Sequence, residues 1–208
     1  MDDWPLTIGC SCHSPPQKMT LPLTIEIAAV VTSLAYLVLL MQQKIACWAF
    51  GIVSSMLSIY LFIATKLYSD AILYSYYVVM GFYGWYHWNQ RGAQGFPVQQ
   101  WPWRKHIAAI GVGVVAASGL GWFFASKTDA NNAFADAFNA IFSFIATYLE
   151  TQKVVEGWIY WILINIFSTW LYYQRGLHIY AALMVVYAIL SVVGFVRWRG
   201  EYRLARGG

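Results

Sequence analysis

Polar and charged positions divide the chain into seven long apolar runs, near Leu23–Leu40, Ile45–Ala64, Ala71–Trp88, Ile107–Ala125, Phe134–Leu149, Trp158–Tyr173 and Leu177–Val196. Each run is continuous rather than alternating, and its length is close to the roughly 20 residues that cross about 30 Å of hydrocarbon as a helix. Barrel strands would be about 10 residues long and would alternate in polarity. The pattern therefore predicts an all-α polytopic membrane protein of seven transmembrane helices. Composition agrees: 60% of the 208 residues are hydrophobic and 11% are charged, against about 25% charged in a soluble domain.

Charge adds a direction. Lys44, Arg91, Arg104, Lys105, Lys153, Arg197, Arg199, Arg203 and Arg206 fall on one side of the alternating loops, and Lys18, Lys66, Lys127 and Arg175 on the other. Basic loops stay cytoplasmic, so the N-terminus is expected outside and the C-terminus inside. Trp85, Trp88, Trp101, Trp103 and Trp198 then suit an aromatic belt at the inner surface. The net charge of +4 is spread over loops and a tail rather than gathered on one face, which argues against a nucleic-acid partner. Cys10-Ser-Cys12-His13 lacks the remaining ligands of a metal site and lies in a Pro- and Ser-bearing polar tail. No metal and no cofactor is expected. The tail has no basic segment followed by an apolar core, so it does not read as a secretory signal, and Met19 is a second candidate start.

The runs also repeat. At a constant offset of 110 positions, Trp48 matches Trp158, Ser58 Ser168, Leu61 Leu171, Leu67 Leu177, Ala71 Ala181, Leu73 Leu183, Tyr77 Tyr187, Gly84 Gly194 and Trp88 Trp198, without a gap. Glu26 matches Asp136 by acidic character. Four crossings separate equivalent positions, so the halves enter the membrane in the same direction. The expected organisation is a polar tail (1–21), a first three-helix repeat (22–89), an inner loop and linker helix (90–130), a second repeat (131–198) and a basic tail (199–208). Such a 3+1+3 arrangement of parallel repeats is that of SWEET-type sugar transporters, whose substrates bind near the midplane between repeats.

Polar residues within spans should face the bundle interior. In the sixth run Trp158, Trp161 and Asn165 lie at i, i+3 and i+7 on one helical face. Two indoles above an amide form a cradle for a flat cationic heterocycle, by stacking, cation–π attraction and hydrogen bonding. The same residues also fit a plainer account, Trp158 as an interfacial anchor beside Glu156 and Asn165 as helix–helix glue. Their counterparts in the first repeat are Trp48, Gly51 and Ser55. Bulk faces room at Trp161/Gly51, which suits a lopsided pocket and equally suits close helix packing. Tyr77, Tyr187, Tyr76, Trp170 and Asn139 are further candidates for the path. Glu26 and Asp136, near the outer ends of the first helix of each repeat, are candidates for gating or cation attraction, or for simple interfacial solvation.

Enzymatic readings find little to rest on. Gly121 to Thr128 lacks the glycine a phosphate loop needs before its lysine, Ser126 standing there. His87, His106 and His178 sit at span ends, and Ser54 and Ser55 have no base in view.

The segment Glu156-Gly-Trp158-Ile-Tyr-Trp161-Ile-Leu-Ile-Asn165, with Leu171-Tyr172 and Gly194-Phe-Val-Arg-Trp198, resembles the PnuC family of nicotinamide riboside transporters. Trp48-Ala-Phe-Gly51 and Gly84-Trp-Tyr-His-Trp88 resemble the family's matching repeat. The resemblance runs from about Glu26 to Trp198. It implies a SWEET-like fold, often trimeric, in the bacterial inner membrane, performing facilitated diffusion with the vitamin trapped by phosphorylation in the cytosol. It places Trp158, Trp161 and Asn165 against the solute. Ala146-Thr147-Tyr148-Leu149 is similar to a thiamine-carrying branch, so thiamine, or riboflavin, is the alternative cargo. Proton-coupled uptake is the competing mechanism, and a membrane enzyme or an assembly protein is the alternative class.

Overall fold

The computed structural model describes residues 20–64, 68–90, 97–127, 132–176 and 178–207. Seven helices appear among them: α1 (Thr20–Met41), α2 (Cys47–Ala64), α3 (Tyr68–Asn89), α4 (Trp103–Lys127), α5 (Ala133–Thr151), α6 (Gly157–Gln174) and α7 (His178–Gly207). Each coincides with one apolar run. The largest departures are at α4, which begins four residues earlier than its run, and at α7, which continues beyond Val196 to take in most of the basic tail. Arg206 in its last turn complements the carbonyl end of the helix dipole, as Asp70 and Asp136 complement the first turns of α3 and α5. Cys10, Cys12, His13 and the Leu67/Leu177 pair lie outside the described residues.

Four helical segments, Leu23–Met41, Cys47–Ala64, Trp103–Lys127 and Tyr180–Arg206, are long and apolar enough to cross a membrane by length and composition. Helices α3, α5 and α6 fall short because tyrosine, serine, asparagine and acidic side chains interrupt them. The bundle is apolar on the outside: Ile72, Val79, Val112, Val115, Trp122 and Leu163 are all exposed. Water would penalise that surface, whereas hydrocarbon accepts it.

Helix α1 packs on α2 and α2 on α3, while α5 packs on α6 and α6 on α7. Helix α4 lies along α5, and the two groups meet where α3 touches α5 and α1 touches α7. The loops after α1 and α5 follow one course. Gln43 N–H donates to Leu40 O (2.9 Å) and Lys44 N–H to Leu39 O (3.0 Å); 110 residues later Lys153 donates to Glu150 O (3.0 Å) and Val154 to Leu149 O (2.9 Å). Gln43 (φ 54°) and Lys153 (φ 48°) both take the left-handed conformation that non-glycine residues seldom adopt.

A chain of four tryptophans joins the groups. Trp48 meets Trp88 edge-on (5.3 Å, 85°), Trp158 meets Trp198 in the same way (5.4 Å, 88°), and Trp88 and Trp198 touch at 6.3 Å. The indoles seat against Gly84 and Gly194, where a Cβ would collide with Trp48 and lie 2.6 Å from Trp158. Beside them Lys153 Nζ donates to Gln43 Oε1 (3.1 Å) and stands 4.3 Å above the Trp88 ring, and Gln43 Nε2 donates to Glu201.

Overpacking of this kind costs roughly 1–3 kcal/mol. Gly84→Ala and Gly194→Ala should each lower thermal stability in detergent by about that amount, whereas Gly111→Ala, with open space around its Cβ position, should not. Burial holds the Lys153 ammonium down at about 8, below its usual 10.5. The cost of burying that charge is therefore full below pH 8 and is relieved between about pH 8 and 10.5, where the folded state alone has released the proton. Lys153→Gln should gain most on the wild type below pH 8, and the difference in melting temperature should fall as pH rises toward 10. A difference that stays flat would refute this.

Candidate functional site

A cavity of about 90 Å³ lies among Tyr36 of α1, Trp48, Gly51 and Ser55 of α2, Tyr77 and Gly81 of α3, Thr147 of α5 and Trp161 of α6. Four of its eight lining residues are aromatic. The helical periods explain the set: Trp48, Gly51 and Ser55 recur at i, i+3 and i+7, as do Trp158, Trp161 and Asn165 on α6. Gly51 and Gly81 leave room that Tyr36 and Ile52 partly take up, a Cβ at these glycines lying 2.8 Å and 2.6 Å from those side chains.

The sequence-derived residues divide into two groups. Trp48, Gly51, Ser55, Tyr77 and Trp161 line the cavity. Trp158 does not: its side chain is wholly enclosed by Gly194 and Trp198 and forms part of the core. Asn165 is buried and donates to Ser191 Oγ at 3.4 Å. The equivalents of that bonded pair in the first half, Ser55 and Gly81, are on the cavity wall, so the two halves use the same positions differently. Tyr187 meets Ser33 Oγ across the halves at 2.9 Å, and Asn139 accepts from Ser168 at 2.8 Å; neither lines the cavity. Tyr76 donates to Phe144 O (3.0 Å), and Trp170 is exposed. Arg175 grips both carboxylate oxygens of Asp136 at 2.8 and 2.9 Å, while Glu26 is exposed.

Sequence reasoning missed Tyr36, Gly81, Thr147 and, just behind the wall, Glu150. The Glu150 carboxylate accepts a hydrogen bond from Tyr36 Oη at 3.0 Å and stands beside the Trp161 indole. Its counterpart at the 110-residue offset is Leu40, and that departure from the repeat was the available signal. The indole N–H groups of Trp48 and Trp161 are buried with no hydrogen-bond partner. The core indoles of Trp158 and Trp198 lack partners as well, and the Trp161 indole stands beside the Glu150 carboxylate, so these N–H groups do not by themselves mark a guest site.

Residues 23–200 match the model of the nicotinamide mononucleotide transporter family. The chain belongs to this family, that of PnuC. The nicotinamide riboside transporter PnuC of Escherichia coli (strain K12) is 22% identical over 206 residues, 86% of each chain, and its Shigella flexneri relative matches equally. The riboflavin/roseoflavin transporter RibM of Streptomyces davaonensis is 28% identical over 128 residues, 58% of this chain and 59% of its own. The crystal structure of the vitamin B3 transporter PnuC shares the fold, with a TM-score of 0.71 at 23% identity over 86% of this chain and 82% of that one. The PnuC fold and relatives are those of membrane transporters, not enzymes.

The two indoles should behave oppositely on truncation. Trp158→Ala should cost about 3–5 kcal/mol of stability, as an emptied core site does, while Trp161→Ala should leave the fold nearly intact. Thermal unfolding in detergent separates them, and equal losses would contradict the division.

Proposed function

We propose that the chain carries a small, flat, cationic vitamin, nicotinamide riboside first among them, across the bacterial inner membrane by facilitated diffusion, with cytosolic phosphorylation trapping the cargo. The observation that carries this reading is the aromatic cavity, whose Tyr36, Trp48, Tyr77 and Trp161 rings suit a planar cation. Family membership over residues 23–200 supports it.

In this reading residues 22–89 and 131–198 are parallel SWEET-like repeats of three helices, joined through 90–130 with α4 as the linker and flanked by tails 1–21 and 199–208. The matching loop bonds and edge-on tryptophan pairs support the 3+1+3 assignment. Basic residues concentrated on one side favour an external N-terminus and a cytoplasmic C-terminus. The exposed apolar face of α4 is available for lipid or for the neighbours of a homotrimer.

Ligand pockets usually measure about 300–1,000 Å³. A cavity of about 90 Å³ must therefore widen to admit a vitamin, and movement of Tyr36 and Trp161 would do so. Trp161, Trp48, Tyr77, Gly51 and Ser55 contact the solute; Trp158, Asn165, Tyr187 and Asn139 hold the helices that present them. The Asp136–Arg175 ion pair, tying α5 to the α6–α7 turn, is a candidate outer gate, and Glu26 a surface attractor of cations.

Reconstituted into liposomes without a membrane potential, the protein should equilibrate nicotinamide riboside to equal concentrations on both sides, and a proton gradient should not raise that level. Accumulation that collapses with the gradient would establish coupling instead. Thiamine and riboflavin in parallel vesicles decide the cargo. Trp161→Ala should weaken binding of the transported vitamin about tenfold, near 1.4 kcal/mol.

A further inference from the structure

Of the charged side chains among the described residues, two are buried, Glu150 and Lys153. Lys153 turns away from the cavity, its Nζ on Gln43 Oε1 and over Trp88. The other carboxylates are differently placed. Asp136 pairs with Arg175, Glu156 faces His106 and the Trp101 backbone N–H, Glu201 lies between Gln43 and Arg197, Asp70 is half-buried in the first turn of α3, and Glu26 is at the surface.

Glu150 is 2% exposed and makes no ion pair among the described residues. Its neighbours are the Tyr36 hydroxyl at 3.0 Å and the Trp161 indole, both side chains that line the cavity. Thr147, three residues earlier on the same face of α5, lines it too. A carboxylate is costly to bury without a cation, yet here an acidic group replaces the leucine of the equivalent position in the first half. What the protein itself does not supply, a positively charged guest would.

We propose that Glu150 is the counter-charge that selects cationic over neutral vitamins, acting from just behind the cavity wall together with Tyr36 and Trp161. This rests on the transport reading above and adds to it a residue that sets specificity. Tyr36 holds the carboxylate in place through its hydrogen bond. A positive ring stacked against Trp161 then lies close to that charge in a site of low dielectric, where attraction between opposite charges is far stronger than in water. A neutral ring of the same shape keeps the stacking and loses the attraction.

Isosteric pairs test this directly: nicotinamide riboside against its neutral dihydro form, and thiamine against the neutral analogue with carbon in place of the thiazolium nitrogen. Binding of all four to purified protein, with competition for uptake in liposomes, is measured for the wild type and for Glu150→Gln, which keeps an acceptor for Tyr36. The wild type should prefer the cation of its cargo pair by about tenfold or more, and Glu150→Gln should bring that preference down to within about twofold while still binding the neutral member. A preference that survives in Glu150→Gln overturns the proposal. Equal binding of cation and neutral isostere by the wild type overturns it without recourse to any variant. If the wild type takes up neither cation, the transport reading itself fails; cation uptake without a charge preference leaves that reading standing and removes only the role of Glu150.

Discussion

The bundle depends on the contact between large indoles and small glycines at the junction of its two helix groups. Trp48 rests against Gly84 and Trp158 against Gly194, and their partners Trp88 and Trp198 meet each other. Where lipid surrounds a protein, burying apolar surface gives helices little reason to associate, so close packing and polar contacts must hold them. Replacing Cβ by hydrogen lets the edge of an indole approach the α3 or α7 backbone, and the T-shaped tryptophan pairs use the favourable orientation of aromatic quadrupoles. The same cluster fixes the loops after α1 and α5, since Lys153 sits over Trp88 and Trp88 Nε1 donates to Thr151 O.

With that end of the bundle locked, the cavity forms where the two groups stop being alike. In the second half Asn165 and Ser191 bond to each other and fill their share of the interior. Their counterparts Ser55 and Gly81 leave the space open, and Trp161 lines the same space as Gly51, its own counterpart. The cavity is lopsided because a few inward positions differ between the two groups while the tryptophans and glycines that pack them match. Tyr36 and Glu150 belong to the varied set, standing opposite Ala146 and Leu40 at the repeat offset.

The polar interior also accounts for the three helices that are not apolar enough to qualify as spans by composition. Helices α3, α5 and α6 supply Tyr77, Thr147, Trp161 and Glu150. Residues that face the bundle interior are not exposed to hydrocarbon, so they need not be apolar. Helices α1 and α2, though apolar enough to qualify, reach the cavity as well, through Tyr36, Trp48, Gly51 and Ser55, whereas α4 and α7 do not line it.

The sequence by itself determined the helix count, the positions of the helices to within a few residues, the paired tryptophans and glycines, and five of the eight cavity residues. These are properties of period and of one-dimensional pattern. Hydrocarbon sets the run length, the helix sets the i, i+3, i+7 face, and the offset pairs equivalent positions. The tertiary structure decided which members of a face reach the cavity. Trp158 and Trp161 share a helical stripe, but the backbone groove at Gly194 takes up the first and leaves the second free. Asn165 is drawn to Ser191 on a neighbouring helix, a partner that no spacing along α6 specifies. Glu150 looks like a residue at the end of an apolar run, and only the tertiary structure shows that it is enclosed with the Tyr36 hydroxyl of α1 bonded to it. Periodicity gives the side of a helix, while the burial and partner of each side chain on it depend on what the neighbouring helices bring to that depth.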